Sequence, residues 1–314
     1  MKVVFMGTPE FAAICLEEII QSKHQIVGVV SIPDKAAGRG QKIRESAVTK
    51  LAKEHQLPLF QPEKLKNPDF IHDMEALNAD VFVVVAFRML PKEIWQIPPK
   101  GTFNLHASLL PQYRGAAPIN WAIINGEKES GVTTFLIDEQ IDTGTILLNE
   151  KIAINENTTA GDLHDDLAEI GKKLIIKTLD GLETNSIQAR KQDSKTDLKP
   201  APKLFKEDCE IDWTQNIGKI HNTIRGLSPY PGAWTHFYKN DEQKFVKILK
   251  TEIEPTLNDS KKINSIQFEK NSIIIHLKDG NLHLKELQAE GKRPMNAQDF
   301  SNGWQDKSGW TVIK

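Results

Sequence analysis

Apolar residues in the first two thirds of the chain alternate between two periods. Residues 3–6 and 81–87 are near-continuous runs of apolar side chains, many of them β-branched, which is typical of parallel strands buried on both faces. Residues 9–20, 46–56 and 160–182 instead place apolar side chains at helical spacing. Strands that alternate with helices predict an α/β fold, with a Rossmann-like, open and mostly parallel sheet.

The last third of the chain has a different pattern. Short segments of alternating apolar and polar residues occupy 234–238, 245–252, 272–277 and 282–287, and Asp279-Gly280 between the last two is a hairpin signal. Short antiparallel strands of this kind predict a small β-barrel of the oligonucleotide-binding (OB) type. Such a barrel can offer a groove to nucleic acid, but the fold does not establish that function.

Residues 190–206 separate these two patterns. This stretch contains two prolines and has six basic residues against two acidic residues. A polar, proline-containing segment predicts an extended tether between domains. We therefore expect a first domain at residues 1–189, a basic linker at 190–206 and a second, OB-like domain at 207–314.

The composition excludes several classes of protein. The 314 residues carry a formal net charge of −2, so a polyanion can bind only at a local basic patch. The two cysteines, Cys15 and Cys209, have no metal-ligand spacing and favour a reducing compartment. The acidic and histidine residues at 162–166 fit a solvated helix face, so no metal site is predicted. With no bilayer-spanning apolar run and no signal peptide, we expect a cytoplasmic protein without a membrane partner.

The densest group of polar side chains lies in residues 103–115, FNLHASLLPQYRG. Asn104 and His106 are two residues apart, so on an extended segment their side chains leave the same face. A carboxamide and an imidazole side by side at a strand end are components of an acyl-transfer site. Asp138 and Asp142 follow the next strand pattern, and each can equally be a turn former through a side-chain hydrogen bond to the backbone.

Two other segments are candidates for ligand contacts. Residues 87–90 leave the central strand at its carboxyl end, where open α/β sheets bind ligands, although their apolar side chains can equally be core. Residues 35–53 carry six basic side chains and one acidic side chain. Around Gly38-Arg39-Gly40 we expect a mobile loop at 33–44, and its charge suits either a solvated face or contacts to phosphates.

Several motifs follow one another in the order that is typical of one enzyme family. They are Met6-Gly7-Thr8-Pro9-Glu10-Phe11, Gly38-Arg39-Gly40, Asn104-Leu105-His106-Ala107-Ser108-Leu109-Leu110-Pro111, Tyr113-Arg114-Gly115, Asp142-Thr143-Gly144, Leu198-Lys199-Pro200-Ala201-Pro202-Lys203 and Arg225-Gly226-Leu227-Ser228-Pro229-Tyr230-Pro231-Gly232-Ala233-Trp234. Over essentially its whole length, the chain resembles the folate-dependent formyltransferases. Its Arg88-Met89-Leu90 segment departs from the glycine-containing run expected there and looks more like the folate wall of the glycinamide ribonucleotide branch.

The resemblance implies a reaction. A formyl group passes from the co-substrate 10-formyltetrahydrofolate to an amino group, and in the branch with the most similar motifs this amine is the methionine of methionyl-initiator tRNA. It also implies that Asn104, His106 and Asp142 are catalytic. Asn104 can donate to the carbonyl oxygen as that oxygen gains negative charge. His106 can polarise the carbonyl or take the amine proton, and Asp142 can orient the imidazole or relay a proton through water.

The resemblance further implies two sets of binding residues. Folate contacts are expected from Phe87, Arg88, Met89, Leu90, Ser108, Leu109, Leu110, Pro111 and Ile141. Within this set, residues 108–111 are expected to form a turn with free backbone groups. Contacts to tRNA phosphates are expected from the basic residues Lys35, Arg39, Lys42, Arg44, Lys199 and Lys203.

Two alternatives to an enzyme that formylates tRNA stay open. We expect the protein to be a monomer. A sugar-nucleotide N-formyltransferase would share the same catalytic core. A non-catalytic folate- or RNA-binding module would share the fold, but Asn104, His106 and Asp142 argue against it. The basic loop and the basic linker favour tRNA over a nucleotide sugar, because we expect them to place positive charge on both sides of the site.

Overall fold

The computed structural model describes residues 1–37, 42–193, 197–256, 263–269 and 271–314. Two compact units make up the chain. The first comprises Met1–Gly115, Ser130–Ile152 and His164–Pro200, and the second comprises Ala116–Glu129, Ala153–Leu163 and Ala201–Lys314. The polypeptide therefore passes between the units more than once.

One large sheet forms the centre of the first unit. The strands of this part of the chain are β1 (Lys2–Gly7), β2 (Gln25–Val30), β3 (Lys35–Ala37), β4 (Lys42–Arg44), β5 (Leu59–Phe60), β6 (Val81–Val85), β7 (Thr102–His106), β8 (Glu129–Leu136) and β9 (Ile146–Ala153). Seven of them pair in the order β5-β2-β1-β6-β7-β8-β9. The strands from β5 to β7 in this order are parallel, and β8 is antiparallel to β7. The predicted open, mostly parallel sheet is confirmed.

Eight α-helices occur in the described residues; the first five alternate along the chain with these strands, and the last two belong to the second unit. The helices are α1 (Glu10–Ile20), α2 (Ala47–Glu54), α3 (Pro68–Ala76), α4 (Lys92–Trp95), α5 (Pro118–Ile124), α6 (Ala160–Glu183), α7 (Ile217–Gly226) and α8 (Ala297–Asn302), with a 3₁₀ turn at Glu207–Cys209. Ser46 accepts a hydrogen bond from the backbone nitrogen of Thr49 and so caps α2. Within the described ranges, no helix is both long enough and apolar enough to cross a bilayer.

Strand β7 is fixed from several sides. It lies between β6, whose residues are all buried, and β8. Its odd-numbered residues Phe103 and Leu105 are buried, and a Cβ placed on Gly171 of α6 would lie 2.9 Å from Leu105 Cδ2. Helix α6 therefore packs closely against Leu105, and Asn104 and His106 point away from that face because side chains alternate along a strand.

A barrel forms the centre of the second unit. Its strands are β10 (Ala233–Lys239), β11 (Glu242–Pro255), β12 (Ser265–Phe268), β13 (Ile273–Leu277), β14 (Gly280–Ala289), β15 (Met295–Asn296) and β16 (Trp310–Thr311). The sheet runs β11-β10-β16-β12-β13-β14, and β11 also pairs with β14, so six antiparallel strands close on themselves. Buried side chains such as Phe237, Ile275 and Leu284 form its core. The predicted OB-like barrel is confirmed.

Three local expectations need correction. The segment 33–44, expected to be a loop, contains the antiparallel pair β3–β4. The hairpin turn expected at Asp279-Gly280 lies one residue earlier, because Leu277 already pairs with Gly280. Strands β12 and β16 were not predicted, since segments this short display no clear alternation and depend on their partners in the barrel.

Candidate functional site

His106 is the last residue of β7, and Asn104 lies two residues before it on the same face of the strand. Asn104 pairs in register with Val84 of β6 and with Phe135 of β8, and His106 pairs with Thr133. His106 is buried and Asn104 is half-buried. Among the described residues, no atom receives a hydrogen bond from the Asn104 carboxamide. Its two N–H groups are therefore available to an acceptor from outside the chain.

A backbone carbonyl holds the imidazole of His106. Its Nε2 lies 2.9 Å from the carbonyl oxygen of Tyr113. Because a carbonyl oxygen can only accept, Nε2 carries the hydrogen and Nδ1 is the basic nitrogen of the neutral ring. Nδ1 lies 3.9 Å from Asp142 Oδ2, which is too long for a hydrogen bond. The direct hydrogen bond that orients the ring is thus the one to the Tyr113 carbonyl, and Asp142 lies beyond direct hydrogen-bonding distance of Nδ1.

The loop that carries Asp142 resolves the two roles left open for its carboxylates. Asp138 accepts hydrogen bonds from the backbone nitrogen of Gln140 and from the Thr143 hydroxyl, so it is the turn former. Asp142 instead accepts from the backbone nitrogen of Gly115, at 3.0 Å from Oδ2, beside His106. The loop closes tightly at Gly144, where a Cβ would overlap the carbonyl of Leu136.

Backbone strain is concentrated around these residues. Ala86, Tyr113 and Asp142 have φ values of 46°, 59° and 56°. Elsewhere in the described ranges, the non-glycine residues with positive φ are four asparagines and Gln56; asparagine and aspartate tolerate this conformation, so Ala86 and Tyr113 are the strained residues of the site. Such backbone costs on the order of 1–3 kcal/mol per residue and tends to occur at functional sites.

Gln192 is a member of this site that the sequence did not indicate. Its Nε2 donates to the carbonyl oxygens of Asp142 and Gly144, at 2.9 and 2.8 Å. Its Oε1 accepts from Arg114 Nε and Nη2, at 3.1 and 2.6 Å. The residue lies in the segment expected to be an extended tether, where nothing in the composition distinguishes it from a solvated side chain. Here the segment is bonded to the first unit, since Arg190 and Ile146 exchange two backbone hydrogen bonds.

The turn at residues 108–111 differs from the expectation of free backbone groups. The carbonyl of Ser108 accepts from the Thr133 hydroxyl, and the nitrogen of Leu110 lies 3.2 Å from the same hydroxyl oxygen. The Ser108 hydroxyl donates to the carbonyl of Gln112, and the carbonyl of Leu109 accepts from the Gln112 nitrogen. These groups are bonded either within the turn or to Thr133 of β8, and the side chains of Ser108 and Leu110 are buried.

The predicted folate residues after β6 fall into two groups. Leu90 is buried in the core, and Arg88 donates to the carbonyls of Pro62 and Glu63. Partial burial lowers the pKa of Arg88 from its ordinary value. Met89, in contrast, is 72% exposed, and Ile141 beyond β8 is 60% exposed. Among the described residues of the first unit, these are the large apolar side chains that face solvent.

The predicted tRNA contacts are distributed along the chain. Lys35 lies on β3 and Lys42 on β4. Arg39 lies outside the described residues. The other three predicted tRNA residues are exposed: Arg44, Lys199 and Lys203. The remaining predicted folate residues are half-buried: Phe87, Leu109 and Pro111. The carbonyl of Lys199 accepts a hydrogen bond of 2.7 Å from the nitrogen of Tyr113. One predicted tRNA residue is therefore bonded to the residue that orients His106.

Comparisons with known proteins cover nearly the whole chain. A family model described as formyl transferase matches residues 1–179, and one described as formyl transferase, C-terminal domain, matches residues 203–305. The methionyl-tRNA formyltransferase of Azobacteroides pseudotrichonymphae is 48% identical over 309 residues, 96% of this chain and 95% of the relative. That of Flavobacterium psychrophilum is 48% identical over 304 residues, 96% of each chain.

A solved structure has the same fold. It is an N-formyltransferase from Helicobacter canadensis in complex with folinic acid and dTDP-3-aminofucose, with a TM-score of 0.63 and 22% identity over 90% of this chain and 98% of that chain. At this identity the similarity shows the fold alone. The family models and the two relatives extend the assignment over nearly the whole chain: it belongs to the formyl transferase family.

Proposed function

We propose that this chain transfers the formyl group of 10-formyltetrahydrofolate to the amino group of methionyl-initiator tRNA, giving the N-formylmethionyl-tRNA used in translation initiation. The main support for a formyl-transfer reaction is the placement of Asn104, His106 and Asp142 around the end of β7. The acceptor is supported by relatives of 40–48% identity that bear the name methionyl-tRNA formyltransferase.

The mechanism follows from the free atoms of the site. The methionine amine attacks the formyl carbon, and the carbonyl oxygen gains negative charge. The unpaired carboxamide N–H groups of Asn104 stabilise that oxygen. Because the Nε2–H of His106 is held by Tyr113, Nδ1 takes the amine proton. The Asp142 carboxylate, 3.9 Å away, stabilises the resulting imidazolium, and a proton returns to the folate nitrogen as its bond to the formyl carbon breaks.

The exposed apolar side chains support a folate-binding wall. Met89 and Ile141 project from two different segments of the first unit. Each of these apolar side chains costs free energy while it faces water. Covering them with the pterin or the benzoyl ring of the donor would recover part of that cost. We include Phe87, Leu109 and Pro111 in the same wall, with Arg88, Leu90, Ser108 and Leu110 as its support.

The basic residues support a tRNA acceptor. Lys35, Arg39, Lys42 and Arg44 lie within ten residues of one another in sequence, and Lys199 and Lys203 lie in the second basic segment. Neutralising phosphates with these groups makes binding depend strongly on salt. Arg39→Ala should raise the KM for tRNA far more than the KM for the formyl donor, and equal effects on both would remove its role. We propose that the protein is a cytoplasmic monomer without a bound metal.

The decisive test compares two acceptors under one donor. Purified protein with 10-formyltetrahydrofolate is assayed on methionyl-tRNA and on amino-sugar nucleotides, and we expect turnover with the tRNA alone. Turnover of an amino-sugar nucleotide with none on methionyl-tRNA would replace the acceptor but keep the chemistry. Filter binding of charged initiator tRNA at graded salt gives an independent check, since salt-insensitive or absent binding would exclude tRNA as the acceptor.

A further inference from the structure

We infer that Gln192 is a positioning residue of the formyl-transfer site, which makes the first part of the segment between the two domain sequences a component of the active site. The inference rests on the proposed function, because it assigns Gln192 an effect through Asp142. It concerns a residue that touches neither of the proposed catalytic side chains of β7.

The amide of Gln192 uses its full hydrogen-bonding capacity. The two N–H groups go to the carbonyls of Asp142 and Gly144, and the oxygen accepts two N–H groups from Arg114. All four distances lie between 2.6 and 3.1 Å. The side chain is half-buried, and each contact is a backbone carbonyl or a guanidinium whose place is fixed by its own loop. An amide with this set of partners has a single orientation.

These bonds join the two loops that flank His106. One loop carries Tyr113, whose carbonyl holds Nε2 of the ring, and then Arg114 and Gly115. The other carries Asp142, which faces Nδ1 and accepts from the nitrogen of Gly115. Gln192 connects Arg114 of the first loop to the backbone of the second. Together with the hydrogen bond between Gly115 and Asp142, the bonds of Gln192 form a closed circuit of contacts between the two loops. This circuit sets the position of the Asp142 carboxylate relative to the imidazole.

Gln192 is itself anchored. Two residues earlier, Arg190 and Ile146 exchange backbone hydrogen bonds of 2.8 and 2.9 Å, which extends the edge strand β9 by one bridge. Asp142 has a φ of 56°, the left-handed conformation that aspartate tolerates in turns. The two carbonyls that Gln192 binds belong to this turn. The geometry therefore requires both a pair of N–H donors and an acceptor at position 192, and an amide supplies both.

Two substitutions separate these requirements. Gln192→Glu keeps the acceptor for Arg114 but replaces the donors with a carboxylate that faces two carbonyls. Gln192→Leu removes all four hydrogen bonds and keeps a side chain of similar volume. We expect both to lower kcat on the order of 10²-fold, because a displacement of about 1 Å in the site has an effect of this size. The KM for each substrate should change less than about threefold, since Gln192 contacts neither in the proposed reaction.

A control variant that loses stability but lies outside the site is available in the same unit. Thr178 is buried, donates to the carbonyl of Leu174 and lies 2.9 Å from the Thr134 hydroxyl. Thr178→Val removes a buried hydrogen bond without changing the shape of the side chain, and it should lower the thermal midpoint while kcat stays within about twofold. If the Gln192 variants behave like Thr178→Val, with a lower thermal midpoint and a kcat within about twofold of the wild type, Gln192 is merely structural and the inference is overturned.

Coupling to Asp142 provides the critical measurement. We expect Asp142→Asn combined with Gln192→Leu to be no slower than Asp142→Asn alone, because a residue that acts through Asp142 has nothing further to remove. Additive losses, or an unchanged kcat in the single variants, would overturn the inference. The ¹⁵N shifts of the His106 ring should also move in Gln192→Glu and stay constant in Thr178→Val. This readout needs no turnover, so a wild type that formylates neither acceptor would refute the proposed function and leave the positioning role to be decided by the shifts.

Discussion

Two buried histidines, one in each unit, show how a side chain for chemistry differs from one for structure. In the second unit, His221 has Nε2 at 3.1 Å from the carbonyl of Glu156 and Nδ1 at 2.8 Å from the Thr251 hydroxyl. In the first unit, His106 has only Nε2 in such a bond, and Nδ1 stands 3.9 Å from a carboxylate. A fully satisfied ring stabilises the fold, whereas a ring with one basic nitrogen left can move a proton.

Removing the two rings gives the largest expected contrast. His106→Ala should lower kcat by roughly 10²–10⁴-fold, which is the usual contribution of a positioned general acid or base. His221→Ala should leave kcat of the folded enzyme within about twofold and lower the free energy of unfolding by about 1–3 kcal/mol, because buried partners lose their bonds. Formyl-transfer kinetics beside urea unfolding measures both. Formyl transfer that survives His106→Ala intact would refute its catalytic role.

Replacing Asn104, whose carboxamide lies two residues before His106, tests the same contrast between chemistry and structure. Asn104→Ala should cost on the order of 10²-fold in kcat, as the loss of a donor to a developing oxyanion does. Because the Asn104 side chain makes no hydrogen bond to the described residues, its removal should change the thermal midpoint little. Asn104→Asp, which keeps the shape but loses the donor, should be equally slow. A variant that is fast but unstable would place Asn104 with His221 among the structural residues.

The pH dependence of stability distinguishes the structural histidine. Burial is the main cause that lowers the pKa of His221 from its ordinary value near 6.5. His221 therefore takes up a proton at a higher pH in the unfolded chain than in the folded chain. The stability that the neutral, buried ring contributes is complete above about pH 6.5 and is lost as the pH falls toward the lowered pKa. His24 in the first unit has a pKa lowered in the same direction, chiefly by burial, and acts likewise. Urea unfolding between pH 7.5 and 5 should therefore show a flatter curve for His221→Gln than for the wild type, and identical slopes would contradict this account.

The smallest expected effect concerns the strained backbone beside the site. Ala86 has a positive φ of 46°, so Ala86→Gly should relieve strain and raise the free energy of unfolding by up to about 1 kcal/mol. A gain in stability with a lower kcat is expected, because strain at a site is retained for function. An equivalent change at Asn264, whose φ is 67° in the second unit, should leave kcat unchanged. Loss of stability in Ala86→Gly would show that this conformation carries no strain.

Periodic features of the chain were predictable. The apolar run of β6, the two-residue spacing of Asn104 and His106, and the alternating strands β10, β11, β13 and β14 each follow from local geometry. The site was harder to predict wherever its contacts join distant segments. Residue pattern alone did not distinguish Asp138 from Asp142, and only the motif resemblance favoured Asp142; in the structure Thr143 and Gly115 approach one carboxylate each.

The sequence by itself determined that an imidazole and a carboxamide share one face at the end of a buried strand, because the period of a strand leaves no other arrangement. Tertiary structure decided which nitrogen of His106 is basic, since that depends on the carbonyl of Tyr113. It also decided that Gln192, 78 residues beyond Arg114, belongs to the site. Contacts of this range follow no period, because they arise from how loops meet after the sheet has formed.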